Sequence, residues 1–413
     1  MSKLDELINK LCPNGVEFKK IEGITKSVNI GINPRRFFKL NPDDATGFYV
    51  TVRELNGLKG VNQTEKTDLI NDEAIKIIQA RANIENGDIL FSNTGTVGKM
   101  ALVDYETLNW GVNEGIYIIK PKHEIINSKF LYYYLDSNLA YADYSRMLTG
   151  STMKHITQKA LLSISIPVPP LEVQCEIVRI LDNFTLLSAE LSAELSARQK
   201  QYEYYSNELF NFEKRGIEYK TIKFEEIARF SQGIQVDVDK QFFEPFDNSV
   251  PFLRIVDFVN SNESPRYIEK PDDKYIKKEN EMIMIRYGAS ACGKVFTNKF
   301  GAIANNMFKI NIKDNKEIDI NYLKFYLSQK SIYEKLNGSS GKSTMPAINF
   351  GYLNKFEIPL PSIEEQKNVV VILEKLEKIC NDISDGLPAE IEARKKQYEY
   401  YRDKLLTFKE LKK

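Results

Sequence analysis

Along the chain, apolar residues fall into two long stripes and many short runs. From position 177 they stand at Ile177, Leu181, Phe184, Leu187, Leu191, Leu195, Tyr202, Tyr205, Leu209 and Phe212, mostly three or four apart with one gap of seven. The same cadence returns at Val369, Ile372, Leu376, Ile379, Ile383, Leu387, Ile391, Tyr398, Tyr401, Leu405 and Phe408. One narrow stripe kept over about forty residues predicts a coiled-coil helix, and at 1.5 Å per residue each would run about 60 Å. Two such helices can bury each other's stripes as an antiparallel pair. Gly386 and Pro388 predict a kink or break in the second. Elsewhere the pattern shortens to β-rich runs such as GDILFSN, GIYIIK, MIMIRYG and MFKINI, set among helical segments and Gly/Asn turns. Those runs predict α+β (mixed α/β) globular domains. IPVPP (166–170) and IPLPS (358–362) close them, because proline drives the preceding residue out of helical geometry. Glu and Gln then open each long helix, as a first turn prefers.

The pattern is written twice. ARQKQYEYYSNELFNF (197–212) returns as ARKKQYEYYRDKLLTF (393–408), and IPVPPLEVQ (166–174) as IPLPSIEEQ (358–366). STM recurs at 151–153 and 343–345, NEGIYIIK (113–120) pairs with NNMFKINI (305–312), and GVEFKKI (15–21) with GIEYKTI (216–222). A half-chain of roughly 200 residues is duplicated, which is not a solenoid of short repeats. The predicted domains are 21–165 and 216–357, each followed by a spacer helix, at 166–215 and 358–413. Residues 1–20 form a short entry helix and segment. That N-terminal piece resembles the exit of the first long helix, so both termini are expected near the ends of the long helices.

Two globular domains separated and followed by long helices resemble the specificity subunits of type I DNA restriction–modification systems. The resemblance is carried by GSTMKHIT, IPVPPLEVQ and ARQKQYEYY in the first half and by GKSTMPAIN, IPLPSIEEQ and ARKKQYEYY in the second. It covers essentially the whole chain. It implies two pseudo-symmetric target-recognition domains, each reading half of a bipartite double-stranded DNA site. It also implies helices that separate them and dock two methylation subunits, with restriction/translocase subunits joining that core. S-adenosylmethionine, ATP and magnesium are then expected on the partners, none on this chain, which catalyses nothing alone. The other reading is a coiled-coil scaffold whose duplicated domains bind proteins and not DNA.

Composition narrows the rest. Lys+Arg and Asp+Glu balance at 57 each, so any basic footprint must be local. Four cysteines without a CxxC pair, and only His123 and His155, argue against a zinc site and for reduced thiols in a cytoplasmic protein. No apolar run reaches a membrane span, and the first residues lack the apolar core of a signal peptide. Methyltransferase chemistry would require a Gly-rich cofactor loop and an Asn/Asp-Pro-Pro-aromatic motif, and neither is present. GASACGK (288–294) has phosphate-loop spacing, but Val295 stands where a Ser/Thr would bind magnesium, and the matching NTGTVGK (93–99) lacks the leading glycine. PDDK (271–274) is polar, loop-like and absent from the first half.

DNA recognition asks for basic, amide and hydroxyl groups on exposed loops where glycine permits close approach. FSNTGTVGK (91–99) and RYGASACGK (286–294) supply them in matched places after a predicted strand. Lys99 and Lys294 are candidates for phosphates; Asn93, Thr94, Arg286 and Tyr287 for bases or backbone; each is equally compatible with a routine strand connection. Arg35 and Arg36, Arg53, and Arg254 near the place corresponding to Arg53 are further candidates, with Lys154 and Lys342 in the STM segments. The YEYY blocks invite comparison with base-stacking platforms, but their place on the stripe makes Tyr202, Tyr205, Tyr398 and Tyr401 core or subunit-docking residues, with Leu187, Leu191 and Leu195.

SAELSAELSAR (188–198) repeats one four-residue unit. Gln174 and Arg198 lie 24 positions apart, and their counterparts Gln366 and Arg394 lie 28 apart, so the halves differ in length where the repeat sits. A four-residue step turns a helix by about 400° and advances it about 6 Å. B-DNA turns about 34–36° per pair at roughly 10–10.5 pairs per turn and rises about 3.4 Å. The unit is therefore expected to act as a spacer step between two half-sites; the other reading is a neutral insertion made of good helix formers.

Overall fold

The computed structural model describes residues 3–104, 109–151, 153–259, 263–278, 281–287, 292–313, 317–338, 347–348, 350–384 and 387–411. The chain divides into two compact units, residues 1–192 with 390–413 and residues 193–389. Each is a mixed α+β body.

In the first unit Thr25–Ile30, Ile116–Pro121, Ile89–Ser92 and Met100–Leu102 form a four-stranded antiparallel sheet in that order. A smaller sheet orders Leu69–Ile70, Gly47–Val50 and Trp110–Val112, the last two parallel. The second unit repeats the plan. Ala228–Gln232, Met307–Ile312, Met282–Ile285 and Val295–Phe296 form the antiparallel sheet. Tyr267–Glu269, Ser249–Leu253, Gly301–Ile303 and Ile276–Lys277 form the other, again with one parallel pair between its second and third strands.

The continuous apolar runs have a simple cause: successive strand residues point to opposite faces, and both faces are covered. Ile89, Phe91, Tyr117 and Ile119 enter one core, while Leu90, Ile116 and Ile118 enter another. Met282, Met284, Phe308 and Ile310 likewise face one core of the second unit, and Ile283, Ile285 and Met307 the other. With no polar face left, alternation disappears from the sequence.

The proline motifs do more than stop a domain. Ser165–Val168 pairs with Glu17–Lys20, and Glu357–Pro361 with Tyr219–Lys223, as two-stranded ribbons where proline is tolerated on an edge. The central helix follows at Leu171–Leu209, 39 residues long. The second long helix is divided into Ile363–Ser384 and Leu387–Leu405. Gly386, expected at the break, lies outside the described residues; Pro388 stands in the first turn of the second segment, where its missing N–H costs nothing.

A matched glutamine fixes each long helix to its own domain. Gln174 is fully buried and donates to the carbonyls of Ile125 (3.0 Å) and Pro169 (2.7 Å), while its Oε1 accepts from Asn127 N–H (2.8 Å). Gln366 does the same with Glu317, Pro361 and Asp319. In the first unit Val16 N–H donates to Lys409 O (2.9 Å) and Leu411 N–H to Val16 O (2.8 Å), so the entry segment meets the end of the last helix as expected.

Candidate nucleic-acid interface

The two loops matched in sequence are held by the same main-chain hydrogen bonds. After Ile89–Ser92, Ser92 N–H donates to Lys99 O (2.9 Å) and Gly98 N–H to Ser92 O (3.0 Å). After Met282–Ile285, Ile285 N–H donates to Lys294 O (3.0 Å) and Gly293 N–H to Ile285 O (2.8 Å). Gly98 and Gly293 both sit at φ +91°, which turns the chain back as few other residues could. Beside them Asn93 N–H donates to Gly115 O (2.8 Å) and Ile156 N–H to Asn93 O (3.0 Å); the counterparts are Arg286 to Asn306 (2.8 Å) and Ile348 to Arg286 (3.1 Å). Three separated stretches thus meet at one corner of each unit, including the segment that follows each STM.

The side chains on this common frame differ. In the first unit Asn93 is buried, donates to Glu114 O (3.0 Å) and accepts from Thr94 Oγ1 (2.6 Å). Gly95 N–H reaches Lys154 O (3.0 Å), and Thr149 Oγ1 lies 2.9 Å from His155 Nε2. Glu114 accepts from Asn33 Nδ2 (2.5 Å) through Oε1, while Oε2 is buried with no partner. In the second unit the Arg286 guanidinium lies 4.8 Å from the Tyr287 ring centroid and 4.9 Å from that of Phe350. Arg286 Nε and Asn306 Oδ1 are both buried without a hydrogen bond. Asn305 donates to Gln235 (3.2 Å) alongside, and a cleft of about 340 Å³ opens past Gln235, Gln241, Arg254, Asn305 and Asn306. Each buried hydrogen bond left unmade costs about 1–3 kcal/mol.

Several sequence candidates are committed elsewhere. Lys99 Nζ donates to the carbonyls of Val52 (2.8 Å) and Arg53 (3.1 Å). Arg53 pairs with the fully buried Glu54 at 2.8 Å. Burial works against the Glu54 carboxylate, but hydrogen bonds from Thr51, Arg53 and Thr67 outweigh it and lower its pKa. Arg254 grips Asp257 (2.9 Å), Glu263 (3.2 Å) and Ser264 O (3.1 Å). Its main-chain counterpart is Thr51 and not Arg53: Asn113 N–H donates to Val50 O, as Ala304 N–H does to Leu253 O. Thr51 N–H and Arg254 N–H then donate to the carboxylates of Glu54 and Asp257. Lys294 lines a different cleft, about 590 Å³, with Arg198, Tyr202 and Glu203 of the central helix. Arg35, Lys154 and Tyr287 are exposed. The Arg36 side chain and Lys342 lie outside the described residues, as do residues 288–291 of the GASACGK stretch.

On the helices, Tyr202 packs against the second unit's core with Leu209, and Tyr398 against the first unit's core with Leu405. Tyr398 and Tyr401 lie 6.4 and 5.9 Å from the Phe184 ring. Leu191 and Leu195 are half-buried, whereas Leu187 is 45% and Tyr205 44% exposed. Tyr204 and Tyr400, which the stripe omits, are exposed at matched positions of the YEYY blocks and are open to a partner. The stripe therefore covers packed and open residues alike. Sequence reading also missed the clamps Gln174 and Gln366, although each is the last residue of a duplicated motif, and the pairs Asn33/Glu114 and Gln235/Asn305, which only tertiary pairing assembles.

Comparison with known proteins agrees with this architecture. The type I restriction modification DNA specificity domain matches residues 13–198 and again 216–393, so the chain belongs to that family. It is 34% identical over 299 residues to the Type I restriction enzyme EcoR124I/EcoR124II specificity subunit of Escherichia coli, covering 68% of this chain and 70% of that one. A putative type I restriction enzyme specificity subunit of Haemophilus influenzae is 30% identical over 333 residues, 75% of this chain and 81% of the other. The fold is shared with the crystal structure of a type I restriction-modification S subunit from M. genitalium, at a TM-score of 0.52 and 16% identity, over 95% of this chain and 96% of that one. No described helix is long and apolar enough to cross a membrane.

Proposed function

We propose that this chain selects DNA for a type I restriction–modification complex, each unit reading one half of a bipartite duplex site. The observation that carries the reading is the duplicated corner: one main-chain frame, two different sets of polar side chains. A frame that varies only in what it displays suits recognition of two different short sequences. In this reading the long helices separate the units and dock two methylation subunits, with the exposed Tyr204/Tyr205 and Tyr400/Tyr401 pairs at equivalent places for each. Restriction/translocase subunits join the same core. Adenine methylation draws S-adenosylmethionine from the methylation subunits; ATP and magnesium serve the restriction subunits. This chain performs no catalysis alone and works in the cytoplasm.

Mapping methylated adenines genome-wide, with and without this protein, tests the reading. One bipartite motif that vanishes with the chain is expected. Tight, stoichiometric assembly with methylation subunits but no salt-dependent preference for any duplex would favour the scaffold reading instead.

A further inference from the structure

We infer that Arg286 and Asn306 together read one base pair in the half-site recognised by the second unit, and that this pair is G·C. The inference rests on the DNA-selecting function above and assigns part of its specificity. The two residues are joined through their main chains by the 2.8 Å hydrogen bond from Arg286 N–H to Asn306 O. One brings a donor with no hydrogen-bond acceptor, Nε; the other an acceptor with no donor, Oδ1. A phosphate could satisfy only the first, because it offers acceptors alone and would repel the amide oxygen. A base pair offers both.

Among base pairs, G·C fits best. Guanine presents O6 and N7 to the two-donor fork of an arginine, and cytosine N4–H₂ donates to an acceptor beside it. Adenine would set its N6 donor against one arm of the fork. Tyr287 and Phe350 flank the guanidinium, and Phe350 packs against Phe230 and Phe308. The guanidinium is thus held by ring contacts, and sliding outward between them is the movement by which Nε would reach a base. Arg254 shows the contrast: it is held by two carboxylates, whereas no carboxylate pairs with Arg286 among the described residues.

The first unit has no equivalent. Asn93 and Gly115 occupy the same main-chain places, and the Asn93 amide is bonded internally. Changes at Arg286 should therefore alter one half-site and leave the other untouched.

The test uses the full chain assembled with its methylation subunits, carrying Arg286→Lys, Arg286→Gln or Asn306→Ala, with methylated adenines mapped and duplex affinity measured against salt. The wild-type motif should contain a G·C pair in one half-site. Arg286→Lys keeps the charge but loses the fork, and discrimination at that pair should fall about 10- to 100-fold. Asn306→Ala should relax the same position. The other half-site, the gap and the salt slope of Arg286→Lys should hold. An unchanged motif in all three variants overturns the inference. So does a uniform loss of affinity across sequences with the salt slope of Arg286→Gln reduced by about one, the mark of a phosphate contact. Absence of any bipartite motif in the wild type is a separate outcome, which removes the DNA-selecting function and the inference with it.

Discussion

Gln174 satisfies three main-chain groups at once: the carbonyl of Pro169 just before its helix, the carbonyl of Ile125, and the N–H of Asn127, whose own side chain caps the helix Ser128–Leu135. Removing its amide leaves those groups buried and unmet. Substitution by alanine should therefore cost on the order of 2–4 kcal/mol, more than an ordinary loss of one hydrogen bond. Urea unfolding of Gln174→Ala, followed by a probe in the first unit, checks this. Gln366→Ala should destabilise the second unit by a similar amount, since Glu317, Pro361 and Asp319 stand in the same relation to it. A change under about 0.5 kcal/mol in both would show that water replaces the amide and that the clamp does not hold the helix. A neutral amide matters here: Gln174→Glu would face two carbonyl oxygens with a carboxylate and should be worse than alanine.

At the scale of elements, the sequence was legible where burial alone sets the pattern. MIMI and ILFS read as strands because both faces are covered, and the helical stripe read as a helix because one face is. The duplicated corner was not legible, because its members are 20 to 63 residues apart and meet only in the folded chain: Asn93 finds Gly115 and Ile156. The two-place offset between Arg53 and the true counterpart of Arg254 has the same origin. Loop length differs between the halves, so sequence order shifts the arginine by two places relative to a frame that hydrogen bonds keep constant. The SAEL step belongs to this scale too. Leu191 and Leu195 are half-buried and Leu187 exposed, so the stripe is shallow there and tolerates about 40° of drift per added unit. Deleting or duplicating one unit should leave both half-sites intact and change the number of unspecified pairs between them, as read from methylated adenines. Deleting two residues turns the helix by about 200°, which should instead abolish methylation. An unchanged gap after the four-residue change would remove the spacer role.

For the whole molecule, duplication and closure are one fact. Tyr398, Leu405, Leu406 and Phe408 repeat Tyr202, Leu209, Phe210 and Phe212, and they do for the first unit what their counterparts do for the second. The second unit is continuous in sequence, 193–389, whereas the first borrows residues 390–413 from the far end of the chain. Leu406 is fully buried there, and Arg402 is nearly so, 2.7 Å from Asp136 and stacked over Tyr398. Burial raises the Asp136 pKa and the Arg402 charge opposes that rise. A chain ending at residue 389 should therefore be damaged far from the cut. Losing Leu406 alone resembles a large-to-small core substitution, about 2–5 kcal/mol, and the neighbouring contacts go with it. Hydrogen exchange should report lost protection in Ile89–Ser92 and Ile116–Pro121 of the first unit, while Met282–Ile285 and Met307–Ile312 of the second keep theirs. Equal loss in both would mean that the last segment stabilises the chain as a whole. Protection kept in both would mean that residues 3–11, which already pack on the same core through Leu4, suffice to close it.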